Sequence, residues 1–142
     1  MNNDLKIRPY TVSDYQQVKA IYQSKGAWFT EGTDDEDRLA AKIEKDPGSI
    51  LVAEKEGNII GTVSIIEDGR MAFIVRLAVA EEERQKGIGT LLLQEAEKAL
   101  KERGLKKVNI LVSEVEDYLY PYYEKRGYSR GTKHLWMWKE LK

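Results

Sequence analysis

The chain has 142 residues, 42% hydrophobic and 33% charged, with three prolines, eleven glycines, no cysteine and a single histidine. That is one domain's length, expected to run over 1–142, with enough apolar residues for a core without staples and too many for a disordered tail. The missing cysteines exclude a disulfide scaffold, an Fe–S cluster and a thiol nucleophile, and no metal site is expected from one histidine. A formal net charge of −1 argues against a bulk polyanion binder, so no nucleic-acid partner is expected.

The charge is uneven: residues 1–70 carry −4 and residues 71–142 carry +3. The residues from Met1 to Asp4 lack the basic start and apolar run of a signal peptide. The longest apolar stretch, 71–80, is ten residues long and holds Arg76, against about twenty needed to cross a bilayer. A cytoplasmic location without a membrane partner is therefore expected.

Leu5 to Arg8 alternates as a strand and stops at Pro9. Thr11 caps a helix, with Asp14 three residues on, and Val12, Tyr15, Val18, Ile21 and Tyr22 form its apolar stripe. Gly26 ends it, and Trp28 and Phe29 follow in a loop. Thr33 opens a second helix, with Glu36 at capping-box spacing, an apolar face of Leu39, Ala40 and Ile43, and a stop at Asp46-Pro47-Gly48. Ile50 to Lys55 and Ile59 to Ile66 are rich in β-branched residues, and Glu56-Gly57-Asn58 between them predicts a hairpin. After the turn at Asp68-Gly69, Met71 to Ala80 is nearly continuously apolar, which predicts a central strand covered on both faces.

Ile88 to Arg103 is the clearest helix: Leu91, Leu92, Ala96, Ala99 and Leu100 share a face, and Gly104 ends it. Lys107 to Val112 reads as a strand, Asp117 to Arg126 as a short helix ended by Gly127, and Tyr128 and His134 to Glu140 as terminal strand material. Along that last segment Leu135 and Met137 alternate with Trp136 and Trp138, so one face is expected in the core and the other on a pocket or a dimer contact. The order predicts an α/β (α+β) fold, one mixed sheet with helices on its faces.

The chemistry concentrates between the apolar strand and the long helix, in Ala80-Glu-Glu-Glu-Arg84-Gln85-Lys86-Gly87-Ile88-Gly89-Thr90. Amides at a helix start have no intrahelical partner and the helix dipole is positive there. Glycine lets a ligand approach the backbone, so the pattern suits an anion such as phosphate. A bare G-x-G also fits a turn that merely starts a helix. A Walker loop does not fit, because no Lys stands between Gly89 and Thr90. A dinucleotide fingerprint does not fit either, because Leu92 fills its third small position and Glu81 to Lys86 separate strand from glycine.

The loop resembles the R/Q-x-x-G-x-G/A pyrophosphate loop of the GCN5-related N-acetyltransferase (GNAT) family, with Arg84, Gly87 and Gly89 at its fixed positions. Leu77-Ala78-Val79 matches the end of that family's fourth strand, and Tyr122-Tyr123-Glu124-Lys125-Arg126-Gly127-Tyr128 resembles its F-Y-E-K-x-G-F segment. Ile7-Arg8-Pro9 and the Val52-Ala53-Glu54 to Ile60-Gly61-Thr62-Val63 hairpin are similar too, so the resemblance covers nearly the whole chain.

The resemblance implies a mixed, mostly antiparallel sheet flanked by helices and splayed between its fourth and fifth strands. It implies acetyl-CoA as co-substrate and a small-molecule or protein amine as acceptor. The pyrophosphate would lie on the amides of Gln85, Lys86, Gly87, Ile88, Gly89 and Thr90, and the pantetheine beside Leu77, Ala78 and Val79. A backbone N–H of Val79 or Leu77 would polarise the thioester carbonyl. The sequence departs from the family at Glu116, where an Asn often stands seven residues before the motif tyrosine. It departs again at Pro121, which would start the short helix late, and at Phe73, where some members carry a glutamate base.

Within the resemblance Tyr123 is the general acid: a phenol can protonate a departing thiolate. Taken alone it reads first as a packing aromatic, and Tyr120 and Tyr122 are alternatives. The base stays open between His134, Glu114 acting through water, and attack by an already neutral amine. Residues 31–37 hold five carboxylates, which fit a helix's first turn. In this family that segment also walls the acceptor site, which makes Trp28, Phe29, Glu31 and Asp34 acceptor contacts for a cationic amine. A non-catalytic acyl-CoA-binding regulatory module is the alternative function, and monomer and homodimer are both open.

Overall fold

The structure, a computed structural model, describes residues 4–24 and 29–142. Gly26 and Trp28 lie outside the described residues. The chain falls into two compact units, residues 1–110 and 111–142.

The first unit is a four-stranded antiparallel sheet, in the order β1 (Leu5–Pro9), β2 (Ile50–Lys55), β3 (Asn58–Glu67), β4 (Ala72–Val79). β2 and β3 form the expected hairpin. Glu56 and Gly57 between them both take positive φ, 53° and 82°, the mirror-image turn that matches strand twist. β4 is the last strand of this sheet and not a central one. Its apolar run alternates, with Ala72, Ile74 and Ala78 buried and the residues between them half-buried. Residues 107–110 build no strand beside it. Asn109 alone bridges Phe73 in parallel, its N–H on the Ala72 carbonyl at 2.8 Å and its carbonyl taking the Ile74 N–H at 3.0 Å.

Helix α1 (Tyr15–Ser24) buries Tyr15, Val18, Ile21 and Tyr22 as the periodicity predicts. Val12 is instead exposed, because residues 12–14 form a separate 3-10 turn and the helical register starts after it. Asp14 does the capping, taking the Thr11 N–H at 2.8 Å. Arg8 clasps the same carboxylate through two nitrogens at 2.8 and 2.9 Å and reaches Glu54 at 2.8 Å. The Arg8 guanidinium, with the Thr11 amide, holds Asp14 below the usual carboxylate range.

Helix α2 (Glu36–Lys45) starts at Asp35 and not at Thr33, which lies in the preceding turn. Its Leu39 is buried with α1 and the sheet. Helix α3 (Ile88–Glu102) lays Ile88, Leu92, Leu93, Ala96 and Leu100 on the sheet. Leu91, expected on that face, is exposed and Leu93 takes its place, because the i+4 row from Ile88 defines the buried edge. Arg103, just past α3, donates to Asp46 at 2.9 Å and Glu67 at 3.0 Å, tying the ends of α2, β3 and α3 together.

The second unit has less regular structure. The predicted helix over 117–126 resolves into a 3-10 segment (Glu114–Leu119), non-helical at Glu116, and a short α4 (Tyr120–Glu124) with Pro121 in its first turn. Pro121 has no N–H to donate, so α4 starts where that loss is harmless. Residues 128–142 form no strand, and Leu135, Trp136, Met137 and Trp138 are all exposed. Neither face of that segment is core: an apolar alternation becomes a strand only when a neighbour offers its ladder.

Gly61 sets how closely α3 sits on β3. A Cβ there would stand 2.9 Å from Leu92 Cδ1 and 3.4 Å from Ile88 Cγ2 and the Ala78 carbonyl. Gly61→Val is expected to destabilise the protein by about 1–3 kcal/mol through overpacking, read as a lower urea midpoint. An unchanged midpoint would show that α3 is not seated on this glycine.

Candidate active site

In β4, Ser64 of β3 pairs with Val75 and Thr62 with Ala78, so Arg76 and Leu77 together oppose Val63. This is a β-bulge, and Arg76 within it takes φ +55°. A left-handed conformation costs a residue with a Cβ about 1–2 kcal/mol. Past the bulge Ala78 is buried, Leu77 and Val79 half-buried. These are the three strand positions expected beside the pantetheine.

After Val79 the chain makes a 3-10 turn, residues 81–83, and reaches Arg84. The Arg84 Nε–H donates to the Val79 carbonyl at 3.0 Å, folding the loop back on the end of β4. Its Nη2 is buried and has no hydrogen-bond partner. Gln85 and Gly87 follow in left-handed conformations, φ 65° and 83°. Gly87 is the residue before α3, and no side chain caps that helix. Helical bonding begins with the Leu91 N–H on the Gly87 carbonyl at 3.1 Å. A Cβ on Gly87 would meet nothing within 4 Å, so the helix mouth opens to space. Lys86 and Lys55 both hold Glu83, each at 3.3 Å, and keep its carboxyl below its usual range. A bare helix start, glycine where φ is positive, and a buried guanidinium nitrogen without a partner fit a phosphate-bearing group.

On the other side of the bulge, Asp34 is buried. Its carboxylate takes Arg76 Nε–H at 3.1 Å and Nη2–H at 3.0 Å, together with the Thr30 N–H at 2.8 Å. Tyr15 Oη donates to the Asp34 carbonyl oxygen at 2.9 Å, and burial pushes that phenol up. Asp34 is thus engaged inside the fold, while Glu31 is exposed. Asp35 takes the Gly32 N–H at 3.0 Å, and Glu36 and Asp37 form the first turn of α2. Phe29 is half-buried, and the Lys19 ammonium sits 5.2 Å from its ring centre. Arg76 was visible in sequence only as a charge in an apolar run. A charge in such a run calls for a carboxylate partner, but the sequence does not say which; the structure supplies Asp34.

In the second unit Tyr123 is half-buried, with ring centres of Tyr122 at 5.1 Å and Tyr128 at 5.6 Å, both edge-on. Burial, with Tyr122 and Glu116 adding to it, pushes the Tyr123 phenol above its ordinary value. Arg126 stacks 3.6 Å from the Tyr122 ring centre and donates to the Tyr122 carbonyl at 2.7 Å. Glu114 pairs with Lys133 at 3.2 Å on the surface, and exposed His134 places Nδ1 2.8 Å from the Thr132 carbonyl. No helix among the described residues is long and apolar enough to cross a membrane, and among them no group of three or more His, Asp or Glu is placed to hold a metal.

Residues 15–128 match the model of the acetyltransferase (GNAT) family. Solved structures similar in fold include the PaiA N-acetyltransferase of Thermoplasma acidophilum in complex with coenzyme A. It is 21% identical, with TM-score 0.78, covering 92% of this chain and 92% of that one. Glucosamine-6-phosphate N-acetyltransferase of Arabidopsis thaliana is 23% identical, with TM-score 0.75, covering 96% and 99%. An aminoglycoside acetyltransferase from an uncultured soil metagenomic sample, in complex with sisomicin, is 21% identical, with TM-score 0.75, covering 99% and 98%. A strand, an Arg-x-x-Gly-x-Gly loop and an uncapped helix in this order, within a match over most of the sequence, place the chain in the GNAT family of acetyltransferases.

Proposed function

We propose that the protein transfers the acetyl group of acetyl-CoA to a primary amine by direct attack. The observation that carries this reading is the junction of β4, loop and α3. There Arg84 pins the loop to Val79, and Gly87 opens an uncapped helix start. The amides from Gln85 to Thr90 take the pyrophosphate, and Leu77 to Val79 lie along the pantetheine. That Asn109 forms an isolated bridge opposite Phe73, near the start of β4, supports a sheet opening towards the far end of β4, where the thioester would enter.

The amine lone pair attacks the thioester carbonyl, and charge develops on its oxygen. A backbone N–H at the β4 bulge stabilises that charge without reorganising. Collapse breaks the C–S bond, and Tyr123 gives its proton to the departing thiolate. The acceptor reacts as its neutral amine and loses its extra proton to water. Glu114 is engaged with Lys133 and His134 with a backbone carbonyl, which supports solvent in that role.

For the cradle, Gly87→Val is expected to weaken acetyl-CoA binding at least about tenfold, since the variant adds bulk where the pyrophosphate approaches and strains φ. Arg84→Ala should weaken it as well, through the lost bond to Val79. Isothermal titration reads both, and unchanged affinity in a folded Gly87→Val protein would sink the cradle.

For the acid, Tyr123→Phe is expected to lower turnover by roughly 10²–10⁴ with acetyl-CoA affinity kept. Tyr123 works protonated, so wild-type rate should rise as the acceptor amine deprotonates and fall only above the ordinary tyrosine value, given the upward shift. Tyr123→Phe should lack that alkaline fall. Near-full turnover in this variant would pass the role to another tyrosine or to water. Binding of acetyl-CoA without turnover of any amine would favour the regulatory-module alternative.

For the acceptor, we propose a cationic amine. Glu31, Asp35, Glu36 and Asp37 line one short stretch beside Phe29, and sugar amines and aminoglycosides are acceptors named for proteins of similar fold. A turnover screen across aminoglycosides, polyamines, amino sugars and lysine peptides should find cationic amines best. Their advantage should shrink with salt and with Glu31→Gln and Glu36→Gln. A best substrate that is acidic, or indifferent to salt and to both variants, would make these carboxylates helix-start residues only.

A further inference from the structure

The Arg76–Asp34 pair joins two segments 42 positions apart. One end is the left-handed residue of the β4 bulge. The other is buried in the loop of residues 29–35, which the proposed reading places on the acceptor side. The Arg76 side chain keeps 31% of its surface exposed while that of Asp34 keeps 6%, so the carboxylate is the fixed partner and the guanidinium reaches it from the more open side. Asp34 is itself fixed: its carboxylate takes the Thr30 N–H, its own N–H bonds to the Thr30 carbonyl at 2.8 Å, and Tyr15 holds its carbonyl. Nothing in the pairing of β3 with β4 requires an arginine here, and glycine would take this φ without strain.

We propose that Arg76 is a positioning residue. Its two-point bond to Asp34 holds the bulge in the conformation that aims a backbone amide at the thioester carbonyl, and it fastens the acceptor-side loop to that same bulge. Donor and acceptor halves of the site are then set by one ion pair. The guanidinium does not touch the reacting atoms; it acts through the backbone on one side and the loop on the other. The proposal rests on acetyl-CoA lying along β4.

The test separates the two tasks. The carbonyl resonance of [1-¹³C]acetyl-CoA bound to wild-type protein should be displaced from its free position by the bulge amide. In Arg76→Ala and in Asp34→Asn it should move back towards the free value. In Arg76→Gly, which takes positive φ unaided, the displacement should be kept. Hydrogen exchange at Thr30 and Asp34 should quicken about tenfold or more in both Arg76→Ala and Arg76→Gly. Acetyl-CoA affinity should stay within about threefold in every variant, while turnover of the best amine from the screen falls by about 10²-fold in Arg76→Ala. An unmoved resonance in Arg76→Ala, with or without a lower melting temperature, overturns the proposal and leaves the pair a support of the fold. Unchanged exchange overturns the loop half. No bound resonance in wild-type protein overturns the acetyl-CoA reading itself, and the positioning role with it.

Discussion

A guanidinium in an otherwise apolar strand must find a carboxylate, and in this fold that requirement organises the ground around the candidate site. β4 carries Arg76 between Val75 and Leu77. The strand meets the requirement by inserting one extra residue against β3, which turns Arg76 out of the ladder towards Asp34. The bulge shifts the register at Arg76 and Leu77, and pairing resumes with Ala78 on Thr62 and Val79 on Gly61. Asp34 in turn fixes the turn that leads into α2. Removing Arg76 would leave the Asp34 carboxylate, 6% exposed, without its counter-charge, whereas the Arg76 side chain, 31% exposed, still reaches water.

The other half of the proposed donor site is built almost entirely from backbone. α3 begins at Gly87 without a capping side chain, where Ser, Thr, Asp or Asn would each satisfy an amide. A glycine at that position keeps the amides available to something outside the chain. Close seating of α3 on Gly61 then decides where those amides lie, because Ile88 and Leu92 in its first two turns are the residues that pack over that glycine. Arg84 adds the connection to Val79. The proposed phosphate cradle and thioester edge would therefore be located by one short piece of chain.

The sequence was most legible where one residue type answers one backbone need. Glycine at 57, 87, 104 and 127 takes positive φ, and each marks the hairpin turn, helix start or helix end read from it. The stripe of α1 and the start and end of α3 followed from period and punctuation. Readings failed where an element depends on a partner far along the chain. The apolarity of Met71 to Ala80 points to a central strand, yet in the structure it is the last strand of its sheet. The apolar alternation of 134–140 found no ladder. The five carboxylates of 31–37 fit a helix's first turn by composition, but in the structure they divide. Asp34 turns inward to Arg76, Asp35 binds Gly32, and Glu36 and Asp37 enter the helix. Local spacing cannot separate these, because the partner of Asp34 lies 42 residues away.

That division also bears on how charge acts in the acceptor half. With Asp34 paired to Arg76, the field felt by an amine acceptor at the proposed site would come from the more exposed carboxylates, each screened by water and salt. Such charges set which amines gather near the loop more than how tightly one is held. The Lys19 ammonium over Phe29 makes the same point from the other direction. A cation already rests on that ring, so an acceptor amine would compete with it and not meet a bare aromatic face. On the proposed reading, tight selection among amines would come from shape and from hydrogen bonds to the loop backbone. That backbone is what the Asp34 carboxylate, bonded to the Thr30 N–H, keeps in place.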